Sequence, residues 1–326
     1  MEAKYYEKRD DKLKCTLCPN ECVINPGKAG ICKVRVNHGG KLTLPYFAKI
    51  VAFGVDPIEK KPLYHYHPGK TILSIGFPGC SLQCPFCQNY SISQYTDTPG
   101  ETIYPNELVK MTEQKHSFGI AYTYSEPAIH IEYVLEAGRL ARERGLSNVL
   151  VSNGYLNPEP AEELLELMDA ANIDLKGFNP DFYRRELKGK LQPVLDFITI
   201  AAKKTTLEVT TLVIPGKNDS PEEIDQIAGF LASLDKNIPL HLSCYFPHYK
   251  YSAPPTDPAA VRRLAEVARR RLNYVYLGNV GGMETNTYCP SCGNLLIRRR
   301  GYYTETKGIK DGKCSGCGEI IPIVGV

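Results

Sequence analysis

From about Thr71 to about Gly278, short apolar runs alternate with longer stretches whose apolar positions recur at helical spacing. Strands are predicted at 72–76, 119–124, 148–152, 172–176, 206–213 and 239–245. Helices are predicted at 105–116, 127–144, 158–171, 191–204, 221–235 and 258–271. Tyr104-Pro105, Glu126-Pro127 and Ser220-Pro221 mark helix starts, because proline suits the first helical position and serine caps it. Six strand–helix units in succession predict parallel pairing. The expected fold is α/β, a partial (β/α)6 barrel of TIM type with its working face at the C-terminal ends of the strands.

Three of these strands carry one polar face. In Ile173-Asp174-Leu175-Lys176 the charges share one side and the apolar residues the other, since side chains alternate along a strand. Glu208 and Thr210 oppose Leu207 and Val209 in the same way, and His241 and Ser243 oppose Leu240, Leu242 and Cys244. A buried parallel strand with a filled core on both sides is apolar throughout, so these faces are expected to line a cavity. Around the barrel, residues 1–40 form an N-terminal module, 41–70 a hairpin-like connector covering one end of the barrel, 71–286 the barrel and 287–326 a C-terminal module. In the connector, Lys60, Lys61, His65 and His67 read as solvated or packing residues.

Composition sharpens this picture. A chain of 326 residues with 43% hydrophobic residues can bury a large core. No run approaches the length of a membrane span, and the start Met1-Glu2-Ala3-Lys4-Tyr5 lacks the apolar segment of a secretory signal, so a cytoplasmic protein without a membrane partner is expected. The formal net charge of +3 is too small to argue for nucleic acid. Twelve cysteines in a chain of this kind point to metal rather than disulfides. Eleven of them fall in three groups, and the twelfth, Cys244, reads as a core thiol.

The middle group, Cys80, Cys84 and Cys87, is a C-x3-C-x2-C array directly after the first predicted strand. Four thiolates would close a metal site. Three on one short loop suggest a [4Fe–4S] cluster whose fourth iron is open to an exogenous ligand, the alternative being a zinc loop that borrows a distant ligand. Cys15, Cys18, Cys22 and Cys32 can close a centre of their own, for which zinc and an auxiliary iron–sulfur cluster both fit. Cys289, Cys292, Cys314 and Cys317 form two C-x2-C-G knuckles of zinc-ribbon type, with a rubredoxin-like iron site as the alternative. Arg298-Arg299-Arg300 beside them would suit a nucleic acid, but four thiolates on a divalent ion remove about two charges from the module.

These motifs resemble the radical SAM enzymes, and within them the activating enzymes of glycyl radical enzymes, nearest the AmmeMemoRadiSam-system branch. The residues that carry the resemblance run from the Cys15-x2-Cys18-Pro19 start through Asp56-Pro57-Ile58-Glu59-Lys60-Lys61-Pro62-Leu63-Tyr64-His65 and the loop ending Cys87-Gln88-Asn89. They continue through Tyr122-Thr123-Tyr124-Ser125-Glu126-Pro127, Asp174-Leu175-Lys176, Val213-Ile214-Pro215-Gly216 and Gly278-Asn279-Val280. The resemblance implies that Cys80, Cys84 and Cys87 ligate the cluster and that S-adenosylmethionine chelates its open iron. It implies a reductant such as ferredoxin or flavodoxin and a 5′-deoxyadenosyl radical that abstracts a substrate hydrogen. Glu126 matches the carboxylate that follows two glycines in the family and holds the methionine amino group, although Tyr124 and Ser125 stand for those glycines here. Ser152 and Asn153 match a segment that meets the cofactor's carboxylate or ribose, Asp174 and Lys176 match the family's Asp-Leu-Lys, and His248 matches a histidine after the sixth strand. The substrate implied is a glycyl radical enzyme. Radical modification of RNA, another macromolecule or a metabolite is a second possibility, and a zinc-binding interaction module is a reading from another class.

Overall fold

The computed structural model describes residues 1–281 and 285–326. Its centre is one eight-stranded sheet: β1 (Ala52–Pro57), β2 (Thr71–Gly76), β3 (Gly119–Tyr122), β4 (Ser147–Ser152), β5 (Ala170–Asp174), β6 (Thr206–Val213), β7 (Leu240–Cys244) and β8 (Val275–Gly278), hydrogen-bonded in that order. From β2 to β8 every pairing is parallel, and only β1 runs antiparallel, with Pro57 opposite Thr71 and Ala52 opposite Gly76. Helices α1 (Pro105–Gln114), α2 (Ile131–Glu143), α3 (Pro158–Leu165), α4 (Gln192–Lys204), α5 (Pro221–Leu234) and α6 (Pro258–Arg269) follow β2 to β7 in turn. Each begins on or near a proline or a cap: the Ser220 hydroxyl accepts from Glu223 N at 3.1 Å, and Tyr104 N donates to Glu107 at 2.8 Å. Apolar stripes such as Ile224, Ile227, Ala228 and Leu231 of α5 pack on the sheet, and Ile173, Val209 and Leu242 are fully buried beneath them.

The connector departs from expectation. Residues 52–57 are not a cover but the edge strand of the main sheet, and the chain that follows them packs against side chains of β5, β6 and β7. There Glu208 accepts from the backbone N–H of Tyr64 and His65, both at 2.6 Å, and from His241 Nε2 at 2.6 Å, while Asn172 donates to Pro62 O at 2.7 Å. His65 Nε2 meets the Tyr276 hydroxyl at 2.7 Å, and burial holds His65 neutral by pushing its pKa down to about 4. Glu208 and His241 therefore do not face open space. They satisfy a peptide segment threaded through the N-terminal half of the strands, and every buried carboxylate oxygen of Glu208 has a partner.

Two further modules flank the sheet. The N-terminal one contains a three-stranded antiparallel sheet of Tyr6–Arg9, Lys12–Cys15 and Val23–Ile24, joined to α2 by a buried ion pair. Arg35 Nη2 donates to both oxygens of Glu132 at 2.7 and 2.6 Å, and Nη1 donates to Lys4 O at 2.9 Å. The C-terminal module carries a second antiparallel sheet, Thr287–Tyr288, Leu295–Arg300 and Tyr303–Thr306. From it Arg299 reaches into the protein, donating to Tyr64 O at 2.7 Å and to the Thr287 hydroxyl at 2.7 Å with its guanidinium over the Tyr64 ring. Arg299 is only 1% exposed, so the three-arginine run is not a continuous basic surface. Among the described residues no helix is long and apolar enough to cross a membrane.

Candidate active site

The loop after β2 opens at Gly79, whose φ of +87° suits glycine and whose neighbour leaves no room for anything else: a Cβ there would lie 2.5 Å from Cys32 O. That sharp turn starts Cys80-Ser81-Leu82-Gln83-Cys84, and the loop is held at each step. Gly79 N donates to Ile92 O at 2.8 Å, Gln83 N to Leu187 O at 2.9 Å, and Asn20 Nδ2 to Ser81 O at 2.8 Å. Two donors point at Cys80 Sγ, Leu82 N at 3.4 Å and Asn153 Nδ2 at 3.5 Å, and Cys87 Sγ meets the Ser93 hydroxyl at 3.3 Å. N–H groups directed at a sulfur stabilise its thiolate. Burial by itself pushes Cys84 up to about 12 and Cys80 well above the ordinary thiol range, so ligation of a metal there must release protons.

The three cysteines open onto a cavity of about 340 Å³ at the C-terminal ends of the strands. Glu126, Ser152, Asn153, Asp174 and Lys176 line the same cavity, so five of the six expected cofactor residues meet the cysteine loop in one place. Glu126 is buried and fully partnered: Ser152 Oγ donates at 2.7 Å, Asn153 N at 2.8 Å and Ala128 N at 3.0 Å. One carboxylate thus caps the turn at Pro127–His130 and fixes the end of β4. Burial pushes Glu126 up to about 7 against the pull of these three donors. Lys176 Nζ donates to Asp174 at 2.9 Å, and Lys176 N donates to the Tyr183 hydroxyl at 3.0 Å. His248 is exposed on the loop after β7, its ring edge-on to Tyr90 at 5.9 Å, outside the lining of the cavity.

Tyr124 and Ser125 stand where the resemblance puts two glycines. Tyr124 adopts φ +69°, the conformation glycine would supply, and Asn89 Nδ2 donates to its carbonyl at 2.5 Å. Its ring lies across β2, where a Cβ at Gly76 would come within 3.0 Å of it, and its hydroxyl donates to Asp56 at 2.7 Å. Asp56 also accepts from Lys61 at 2.8 Å and Lys60 at 3.1 Å. Burial would raise the Asp56 carboxyl, but these donors outweigh it and hold it below the usual carboxylate range. Lys60 and Lys61 line the cavity, which a sequence pattern of two adjacent lysines on a connector does not disclose. The polar faces of the strands divide accordingly: Asp174, Lys176, Thr210 and Ser243 border the cavity, and Glu208 and His241 lie in the buried network beneath it.

The C-terminal cysteines are arranged differently. Cys289, Cys292, Cys314 and Cys317 bring their sulfurs within 4.8 Å of one another, with Cys289–Cys317 and Cys292–Cys314 each 3.6 Å apart. Four thiolates about 2.3 Å from one tetrahedral ion would be about 3.8 Å apart, so this set fits a single metal ion. Among the described residues no other group of three or more cysteine, histidine or carboxylate ligand atoms is drawn this close.

Residues 74–231 match the model of the radical SAM superfamily. The chain is 39% identical over 335 aligned positions to MJ0808, an uncharacterised protein of Methanocaldococcus jannaschii, covering 99% of each. It is 26% identical over 168 positions to the pyruvate formate-lyase-activating enzyme of Listeria monocytogenes, covering 48% of this chain and 67% of that one. Among solved structures, Streptococcus suis SuiB superposes with a TM-score of 0.52 at 13% identity over 69% of this chain and 52% of that one, a likeness of fold. A strand–loop–helix unit with three cysteines facing a polar cavity at the strand ends lies inside the region matched by this model, so residues 74–231 form a radical SAM domain, a family that implies a [4Fe–4S] cluster and S-adenosylmethionine.

Proposed function

We propose that the protein is a radical SAM oxidoreductase of activating-enzyme type, built as a partial (β/α)6 barrel, in which Cys80, Cys84 and Cys87 hold a [4Fe–4S] cluster with one iron left for S-adenosylmethionine. When bound, the two groups together supply one-electron cleavage of the sulfonium to methionine and a 5′-deoxyadenosyl radical that abstracts a substrate hydrogen. The observation that carries this reading is the shared cavity: three thiols, one buried carboxylate and one Asp–Lys pair face the same space.

Each wall has a task. Glu126 offers a preorganised carboxylate to the methionine amino group, and Asn153 bridges Cys80 to the Glu126 segment, so cluster loop and cofactor site are positioned together. Asp174, with its side chain 38% exposed and already paired to Lys176, is placed to accept from cofactor hydroxyls. His248 stands on the adjoining loop, which Lys250 N fastens to Pro85 O at 2.9 Å. In the C-terminal module we assign zinc to the four close sulfurs, and the substrate to a protein, as the activating enzymes among the relatives suggest. The buried Arg299 counts against RNA.

The test is anaerobic reconstitution followed by dithionite and S-adenosylmethionine. Formation of 5′-deoxyadenosine is expected, with loss in the Cys84→Ala variant; production by that variant would reject the cluster assignment. A glycyl-radical doublet on an added partner enzyme would support the protein substrate, and a mass change in RNA instead would replace it.

A further inference from the structure

One wall of the cavity is used by none of the cofactor residues. We infer that this wall, with Lys60, Lys61, Ser243 and Asn279, holds an anionic oxygen group of the substrate, a carboxylate or a phosphate, beside the hydrogen that is abstracted. The inference rests on the proposed function and deepens it by naming the group through which the substrate is held. On a protein substrate that group is an acidic or phosphorylated residue next to the one that loses its hydrogen.

The first observation is how the cavity divides. The cysteines, Glu126, Ser152, Asn153, Asp174 and Lys176 reach it from β2 to β5 and the loops that follow those strands. Thr210 and Ser243 reach it from β6 and β7, Asn279 from the residue after β8, and Lys60 and Lys61 from the connector. Strands β6, β7 and β8 are neighbours in the sheet, and the connector is tied to β6 where Glu208 accepts from Tyr64 N and His65 N. The two lysines therefore belong to the β6–β8 side, opposite in sheet order to the cysteine loop.

The second observation is charge. On the cofactor side Asp174 and Lys176 answer each other, and Glu126 is left as a surplus carboxylate. On the other side the surplus is positive. Asp56 accepts from Lys61 at 2.8 Å and from Lys60 at 3.1 Å, and among the described residues neither lysine has a second acidic partner. Lys61 alone would neutralise Asp56. Its side chain is 3% exposed and its ammonium lies over the Tyr124 ring at 4.4 Å, so this charge is fixed in place. Lys60, whose side chain is 43% exposed, adds a second ammonium that one carboxylate cannot balance. An oxyanion in the cavity answers that charge with a charge-assisted hydrogen bond.

The third observation is spare hydrogen-bonding capacity on the same wall. The Ser243 hydroxyl is buried, borders the cavity and has no partner among the described residues. Gly278 makes room for it, since a Cβ there would collide with the hydroxyl. Asn279 Nδ2 spends one N–H on Cys244 O at 3.2 Å and keeps the other. Thr210 is already committed, donating to Asn172 at 2.9 Å. An ammonium, a hydroxyl and an amide N–H without full partners suit an acceptor with several lone pairs, and buried polar groups are as a rule satisfied.

The test is anaerobic calorimetry on the reconstituted full chain saturated with S-adenosylmethionine and left unreduced. The probes are the peptides acetyl-Glu-Gly-amide and acetyl-Gln-Gly-amide. Wild type is expected to bind the Glu peptide about tenfold more tightly, the effect of one hydrogen bond to a charged group. Lys60→Ala should erase the preference, Lys60→Arg should keep it, and Ser243→Ala should weaken it. Inorganic phosphate and acetate are then added as competitors. Stronger displacement by phosphate assigns the wall to a phosphorylated substrate, stronger displacement by acetate to a carboxylate, and displacement by neither would overturn the inference. So would equal binding of the two peptides by wild type, which decides the matter even if Lys60→Ala does not fold, or a preference that survives in Lys60→Ala. Weaker binding of S-adenosylmethionine by Lys60→Ala with the peptide preference intact would give the lysine to the cofactor instead. Dithionite added to the same wild-type sample without peptide reads the site separately: absence of 5′-deoxyadenosine would reject the radical reading, whereas its formation without a charge preference would reject only the anionic group.

Discussion

The two terminal cysteine modules look alike in sequence and differ in space. Each has four cysteines with C-x2-C spacing, yet only the C-terminal sulfurs gather within 4.8 Å of one another. Their surroundings differ as well. The N-terminal module is fastened to α2 by the Arg35–Glu132 ion pair and to the cluster loop by Asn20 and Cys32, while the C-terminal module meets the threaded connector through Arg299 and Thr304. Spacing along the chain counts ligands; the fold decides how far apart they are held and what they touch. One module packs against the cysteine loop at the cavity, and the other against the network beneath it.

Substitutions can break this contrast. The largest effect is expected at the loop both readings depend on: Cys84→Ala should abolish 5′-deoxyadenosine formation and remove the site cluster, checked by iron counting and product assay. Next, Arg35→Ala should destabilise the protein by about 3–5 kcal/mol in chemical denaturation, because it leaves Glu132 buried without its partner. A loss below about 1 kcal/mol would mean the N-terminal module is only loosely attached.

Smaller effects follow at Glu126 and at the C-terminal module. Ionised Glu126 is the form that accepts from the cofactor amino group, and its pKa is raised to about 7, so affinity for S-adenosylmethionine should increase as pH climbs through that value. The gain should be roughly tenfold between about pH 6 and about pH 8, and Glu126→Gln should flatten it, as read by equilibrium binding. Thr304→Val removes one donor from buried Glu59 and should cost about 1 kcal/mol, seen as a small shift in the denaturation midpoint. Least of all, a chelator that strips the C-terminal ion should leave the response of the site cluster to S-adenosylmethionine unchanged.

Much of the fold was legible because apolar periodicity survives in each βα unit. The helix predicted at 158–171 ran too far, since Ala170-Ala171 favours helix by propensity while the sheet takes it as the buried start of β5. The final strand β8 lies outside the predicted set, and its Val275–Gly278 run is short and follows closely on helix α6. At the site, the cysteine loop and the Asp174–Lys176 face were visible from spacing and alternation. Alternation could not separate Asp174 from Glu208, because a face that borders a cavity and one that binds a threaded backbone are equally polar. Nor could it find Lys61 or Arg35, whose positions depend on partners 63 and 97 residues away in Tyr124 and Glu132. Tyr124 shows the same limit: its left-handed backbone is paid for by Asn89 and Asp56, contacts that no local pattern reveals.

The most direct test of the central claim is the electron paramagnetic resonance spectrum of the dithionite-reduced protein with and without S-adenosylmethionine. A cluster on Cys80, Cys84 and Cys87 with an iron open to the cofactor predicts a spectrum that shifts on addition and a shift that is lost in Cys84→Ala. A spectrum indifferent to S-adenosylmethionine would contradict it.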